Sequence, residues 1–249
     1  MNEGRNIKLL VAYDGTDFCG WQRQGADRSV QGVIEDALQE IHKQPVTLTG
    51  SGRTDSGVHA VGQVANFYTD IPRIPAEKFV PALNTLLPSA VRILESAEAA
   101  PGFHARFDAA KRSYRYHFIC GRHALPHESR YAMQLWRYPR LQTLNGYCRL
   151  LLGERDCTAF AGAGDASKSR CRYISNAAFF VDGGRLVFEI TANAFLYKMV
   201  RSIAGTFLHY EEENAPLEKV KDIIDSGDRS LAGPTLPPQG LFLWKIDYR

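Results

Sequence analysis

Apolar residues fall at Val30, Val33, Ile34, Ala37, Leu38 and Ile41, the spacing of one helical face carried through three turns. Ser29 precedes them as an N-cap, and Pro45 ends the region. Before this helix, residues 7–12 read as a buried strand, broken by YDGT. After it, residues 46–49 predict a short strand leading into a glycine-rich loop, and residues 63–67 predict the strand that leaves the loop. Phe79, Val80, Leu83, Leu86 and Leu87 mark a second helix, stopped by Pro88. Residues 91–97 form a further strand. The first hundred residues therefore run β-α-β-β-α-β, the order of a split-βαβ, ferredoxin-like unit.

The second half repeats this order less cleanly. Residues 112–120, rich in Tyr and Phe, read as a strand, and Leu141, Leu144, Cys148, Leu151 and Leu152 form a helical stripe. Residues 173–181 and 185–191 predict a hairpin around DGG. Residues 195–208 and 217–224 read as helices, and residues 241–248 close the chain as a strand. The expected fold class is α/β (α+β), two ferredoxin-like halves with mixed, mostly antiparallel sheets. The division expected is 1–107, holding the glycine loop, and 108–249. No low-complexity linker separates the halves, so they are expected to pack as one body with the active cleft centrally between them.

Bulk properties change this picture little. The chain has 249 residues, 45% of them hydrophobic, and a formal net charge of only +3. Any basic surface must come from placement rather than total charge. Five scattered cysteines without a CxxC pair fit free thiols in a reducing compartment. The N-terminus lacks a signal-peptide pattern, and no apolar run is long enough to span a membrane, so a cytoplasmic protein is expected.

The loop itself, GSGRTDSGVHA from Gly50 to Ala60, holds the candidate chemistry. It sets Arg53 and Asp55 two residues apart between glycines, where a plain turn needs neither. A metal site is poorly supported, because His59 has no Cys/His cluster or second carboxylate beside it. Glycoside hydrolysis would want two carboxylates, and the loop offers one. A single Asp beside arginines suits attack on, or proton removal from, a sugar or base whose phosphates the arginines hold. The stretch FHARFDAAKRSYRYHF interleaves Lys111, Arg112 and Arg115 with Tyr114 and other aromatics. That mixture serves phosphates and stacks bases, or forms an edge strand with one charged face. In FLYKMVRSIAG, Tyr197 and Arg201 lie one turn apart on an otherwise apolar helix, with Lys198 alongside. Arg201 is there either a surface charge or a buried ion-pair partner.

AYDGTDFCGWQRQ with SVQGVIEDAL, then GSGRTDSGVHA, FHARFDAAKRSYRYHF, NAFLYKMVRSIAG and PPQGLFLWKIDY occur in the order seen in the tRNA pseudouridine synthase A family. The chain resembles that family nearly end to end. The resemblance implies an isomerase converting uridine to pseudouridine at positions 38, 39 and 40 of the tRNA anticodon stem-loop. It implies a homodimer that acts on tRNA without a cofactor; a central RNA-binding cleft, and no metal, no DNA and no membrane, are expected alongside. It assigns Asp55 as the catalytic aspartate and Arg201 as its basic partner. Arg53 helps displace the target base, Tyr114 stacks on the uracil, and Leu241 lines the pocket; Lys111, Arg112, Arg115 and Lys198 are expected to bind the RNA. Asp55 could add to C1′ or C6, or take the C2′ proton. Two other classes stand beside this one: an RNA-binding module without catalysis, and a uridine nucleosidase-like enzyme, which would release free uracil.

Overall fold

Ile7, Leu9, Val11 and Tyr13 are buried in alternation with more exposed neighbours, and they build the first strand, β1 (Arg5–Tyr13). Period-2 burial of this kind covers one face of a sheet. The computed structural model describes residues 4–25 and 27–249. The chain divides into two units, one running to Ala110 and rejoined by Phe242–Arg249, the other Lys111–Leu241. In the first unit β1 is followed by α1 (Val30–His42), β2 (Thr49–Gly50), β3 (His59–Thr69), α2 (Phe79–Leu86) and β4 (Val91–Glu98). β1 lies antiparallel between β3 and β4, and β2 adds antiparallel to β3. The order β4-β1-β3-β2 is that of the expected split-βαβ unit.

α1 begins where its cap predicts. Ser29 is extended, and its hydroxyl accepts the Gly32 N–H at 3.2 Å. The helix ends because Lys43 turns left-handed (φ 58°) and its N–H bonds to the Gln39 carbonyl at 2.8 Å. The strand expected over 46–49 is reduced to Thr49–Gly50. Side chains of α1 take the place of a ladder there. Gln31 donates to the Leu48 carbonyl at 2.9 Å, and the Leu48 N–H donates to Glu35 at 3.1 Å. A backbone satisfied by side chains has no need of a partner strand.

The second unit contains β5 (Ala109–Cys120, whose first two residues belong to the first unit), β6 (Met133–Leu135), α3 (Leu141–Leu151), β7 (Gly153–Asp156), β8 (Cys171–Asp182), β9 (Arg185–Ala192), α4 (Met199–Glu212) and α5 (Leu217–Ser226). The strands order as β5-β9-β8-β7, antiparallel throughout, with β6 parallel beside β5. β5 and β8 both oppose β9, so they run parallel with β9 between them, and α3 is the crossover. The split βαβ arrangement therefore recurs. Asn145 ties α3 to β8, donating to the Phe179 carbonyl at 2.9 Å and accepting its N–H at 2.8 Å. The stacked rings of Phe118, Phe179 and Phe188 fill the core.

Three features differ from expectation here. The helix predicted over 195–208 starts at Met199, because Lys198 is left-handed (φ 59°) and a right-handed helix cannot run back through it. β6 and β7 are too short, and β7 too polar, to stand out in the sequence. The closing strand β10 (Leu241–Tyr248), expected with residues 108–249, pairs in parallel with β3, and Phe242–Arg249 belongs to the first unit. Among the described residues no helix is long and apolar enough to cross a membrane.

One buried charge fixes the start of α3 against α4. Glu211 has a fully buried side chain and accepts the Arg140 backbone N–H at 3.0 Å and the Arg140 Nε at 2.7 Å, with Arg137 as a further partner. Burial opposes ionisation of Glu211, but these donors outweigh it and hold the carboxyl at about 2, below the ordinary 4.5. A carboxyl with a depressed folded-state pKa stabilises the fold above its unfolded value and loses that contribution as pH falls. Glu211→Gln should therefore cost about 3 kcal/mol at neutral pH. The gap to the parent protein, measured by urea unfolding at a series of pH values, should narrow as pH falls from 4.5 toward about 2.

Candidate active site

Between β2 and β3 the glycine loop is held to the first unit on both sides of Asp55. Ser51 donates its N–H to the Val64 carbonyl at 2.8 Å and its hydroxyl to Gln63 Oε1 at 2.6 Å. Gln63 Nε2 donates to the Gly52 carbonyl at 2.9 Å. The Thr54 hydroxyl lies 2.8 Å from that of Tyr13, and the Thr54 carbonyl accepts the Trp21 N–H at 3.2 Å. Beyond Asp55, Ser56 Oγ and the Gly57 N–H both donate to the Phe18 carbonyl, at 3.2 and 3.3 Å. The Val58 N–H closes the turn on the Asp55 carbonyl at 3.1 Å. The result is a half-buried Asp55 beside an exposed Arg53, whose Nε reaches Gln22 Oε1 at 3.3 Å.

Two of the loop glycines answer to this packing. Gly57 has φ 77°, which side chains rarely adopt. A Cβ on Gly50 would collide with the Trp21 indole, which is buried. Gly52 has neither a positive φ nor any atom within 4 Å of an added Cβ. His59, noted for its nearness in sequence to Asp55, is buried. It accepts the Gly15 N–H at 3.1 Å on Nδ1, has Asp14 at 3.2 Å, and stacks on Phe242 with centroids 4.6 Å apart. It ties the start of β3 to the turn after β1.

The remaining predicted residues belong to the second unit. On β5, Tyr114 and Tyr116 are buried on one face and Arg115 lies on the other. Tyr114 meets Phe195 edge to face, with centroids 5.0 Å apart. Burial raises the Tyr116 phenol above its ordinary pKa, with the Arg201 charge opposing, so it remains a donor and bonds the Pro237 carbonyl at 2.6 Å. Arg201, in the first turn of α4, donates Nε to the Leu236 carbonyl at 2.7 Å, and the Leu236 N–H returns to the Arg201 carbonyl at 3.3 Å. Leu241 is buried just past the turn at Pro238–Gly240, where Gly240 lies against the Tyr116 ring. Arg201, Tyr116 and the segment from Leu236 to Leu241 thus form one assembly.

The basic residues divide. Lys111 is exposed, and Arg112 bonds the Asn193 carbonyl at 2.8 Å. Lys198 lies 4.8 Å above the Tyr197 ring, and both precede α4 instead of sharing its face with Arg201. Arg115, expected to contact RNA, is also paired within the sheet. It bonds Glu189 at 2.7 Å directly across the β5–β9 ladder, with both side chains about one-fifth exposed.

A family model described as tRNA pseudouridine synthase matches residues 9–108 and 147–249, spans that hold Arg53, Asp55, Arg201 and Leu241. The chain belongs to the tRNA pseudouridine synthase family. It is similar to tRNA pseudouridine synthase A of Treponema denticola, 53% identical over 98% of this chain and 93% of the relative. The corresponding Treponema pallidum protein is 47% identical over 94% and 85%. That of Caldicellulosiruptor saccharolyticus is 40% identical over 98% and 100%. Tyr114, Lys111, Arg112 and Arg115 fall between the two spans matched by the synthase family model. Local residue types do not single out the loop anchors Tyr13, Trp21 and Gln63, nor Tyr116 as a buried partner of the segment beside Arg201. Gln63 carried a usable signal, a polar residue among the apolar positions of a strand next to the loop.

The two glycines flanking Ser51 should respond differently to a methyl group. Gly50→Ala forces the Trp21 indole aside and should cost about 1–3 kcal/mol of stability. Gly52→Ala meets open space and should raise the urea midpoint slightly, by the equivalent of about 0.4–1 kcal/mol.

Proposed function

We propose that this protein isomerises uridine to pseudouridine at positions 38, 39 and 40 of the tRNA anticodon stem-loop, acting as a cytoplasmic homodimer without a cofactor. The observation that carries the residue assignment is the presentation of Asp55. It stands half-buried beside exposed Arg53, on a loop whose backbone is bonded on both sides of it. Family membership supplies the reaction class. The reaction breaks the N1–C1′ bond, turns the uracil and joins C5 to C1′, with the C5 proton lost and N1 protonated. Nothing is oxidised or reduced overall, so no redox group is called for. Asp55 is the group that acts on the sugar or base, and fixed placement is what such a step needs.

The other roles follow from chemistry and exposure. A paired base must leave the stack before it can react, at a cost of a few kcal/mol. Arg53, exposed and two residues from Asp55, is suited to the vacated space or to a phosphate. The second unit contributes Tyr114 as an aromatic face, Arg201 as a fixed cation and Leu241 as an apolar wall. Lys111, Arg112 and Lys198 supply charge for the RNA backbone, so affinity falls steeply with salt. Arg115, whose Nε bonds Glu189, is the fourth member of this set.

The decisive assay is incubation with tRNA tritiated at uridine C5, since forming the new glycosidic bond releases that tritium. Asp55→Asn should keep the fold and tRNA affinity and lose turnover; near-normal tritium release would sink the assignment. Free uracil among the products would instead favour a nucleosidase. For Tyr114, a stacked aromatic face is worth about 1–3 kcal/mol per base. Tyr114→Phe should then retain partial single-turnover activity and Tyr114→Leu almost none, with tRNA bound by both. If Phe proves as inactive as Leu, the hydroxyl takes part in the chemistry.

A further inference from the structure

We infer that Gln63 is a positioning residue for Asp55, acting through the backbone of the loop and touching no substrate. The inference rests on Asp55 being the catalytic carboxylate. Gln63 lies on β3 with no exposed surface. Its Oε1 accepts two bonds, from Ser51 Oγ at 2.6 Å and from the Val64 N–H at 3.2 Å, while Nε2 donates to the Gly52 carbonyl at 2.9 Å. A fully buried primary amide is costly unless its polar atoms are bonded, and an apolar side chain of the same length would fill the volume without that demand. What the amide adds is a fixed position for Ser51 and Gly52, the two residues that lead into Arg53, Thr54 and Asp55.

That position needs fixing from outside the loop. Gly52 has no side chain, and the space where a Cβ would lie is open, so no side-chain packing of its own holds it. Glycine is the backbone with the most conformational freedom the chain offers. Tyr13 and Trp21 hold Thr54, and Phe18 holds Ser56 and Gly57, but on the N-terminal side Gln63 is the side chain that grips the backbone at Gly52. Releasing it would let the Arg53–Asp55 segment pivot about Thr54. Misplacement by about 1 Å is enough to cost a catalytic group about 100-fold in rate.

The test is single-turnover tritium release from C5-labelled tRNA with enzyme in excess, on Gln63→Met, Ser51→Ala and Asp55→Asn. Gln63→Met keeps the side-chain length and removes all three bonds. Its rate constant should fall about 100-fold with full amplitude and unchanged tRNA affinity by filter binding. Ser51→Ala removes one bond and should fall about tenfold. A merely structural Gln63 would lower the amplitude, the fraction of active molecules, and leave the rate constant alone. That result, or no change in either quantity, overturns the inference. Should Gln63→Met fail to fold, Ser51→Ala decides, and a parental rate constant there overturns it. Asp55→Asn separates the two claims. If it turns over normally, the assignment of Asp55 has failed; if it is inactive while the anchor variants are normal, only the role of Gln63 has failed.

Discussion

A carboxylate carried on a loop of glycines is only as well placed as the backbone beneath it. Ordering each such residue costs roughly 1–2 kcal/mol of conformational entropy, and glycine stands at the high end. A buried hydrogen bond returns on the order of 1 kcal/mol, and more when leaving it unmade would strand a buried group. No single contact can therefore hold the segment from Ser51 to Val58. The first unit supplies several, from β1 through Tyr13, from β3 through Gln63 and Val64, and from the chain before α1 through Phe18 and Trp21. These elements are adjacent because of the sheet order β4-β1-β3-β2. The fold matters to the site chiefly because it brings these donors and acceptors to one turn.

The second unit solves a similar problem with a charge. An arginine on a largely buried helix has a long, rotatable side chain, and fixing it costs up to about 2 kcal/mol. Arg201 is steadied at Nε by the Leu236 carbonyl. The Leu236 N–H bonds back to α4, and the next carbonyl, that of Pro237, accepts the buried Tyr116 hydroxyl. A neutral donor there leaves the guanidinium charge uncompensated by that phenol. Tyr116 thus holds the strap next to Arg201 without spending its charge.

The elements with strong periodicity were legible in the sequence. The α1 stripe, its Ser29 cap, the DGG hairpin and the β-α-β-β-α-β order of the first half all carry their signals in local residue types. What could not be read depends on partners far away in the chain. The strand before the loop shrank because Gln31 and Glu35, on a helix, took the backbone groups of Leu48. Lys198 delays α4 through a left-handed turn that residue type alone does not announce. The Glu189 carboxylate that Arg115 bonds lies opposite it only through the cross-strand register. At the site the pattern was the converse: Asp55 and Arg53 stood out by their oddity between glycines, whereas the groups that hold them are ordinary core residues.

Gly52 separates what the fold requires from what it leaves open. Gly57 is glycine because its backbone is left-handed, and Gly50 because an indole lies against it. Both requirements are internal and would exist with no substrate at all. At Gly52 the conformation is ordinary and the space beside it is empty. A side chain there would add helpful restraint to the unfolded chain at no steric cost. Internal packing therefore does not account for a bare backbone next to Arg53. An open backbone beside an exposed arginine, one residue before the anchored Thr54, is the surface a sugar-phosphate chain can approach closely. The absence of a Cβ leaves that backbone open, and on its buried side the Gln63 amide bonds the Gly52 carbonyl.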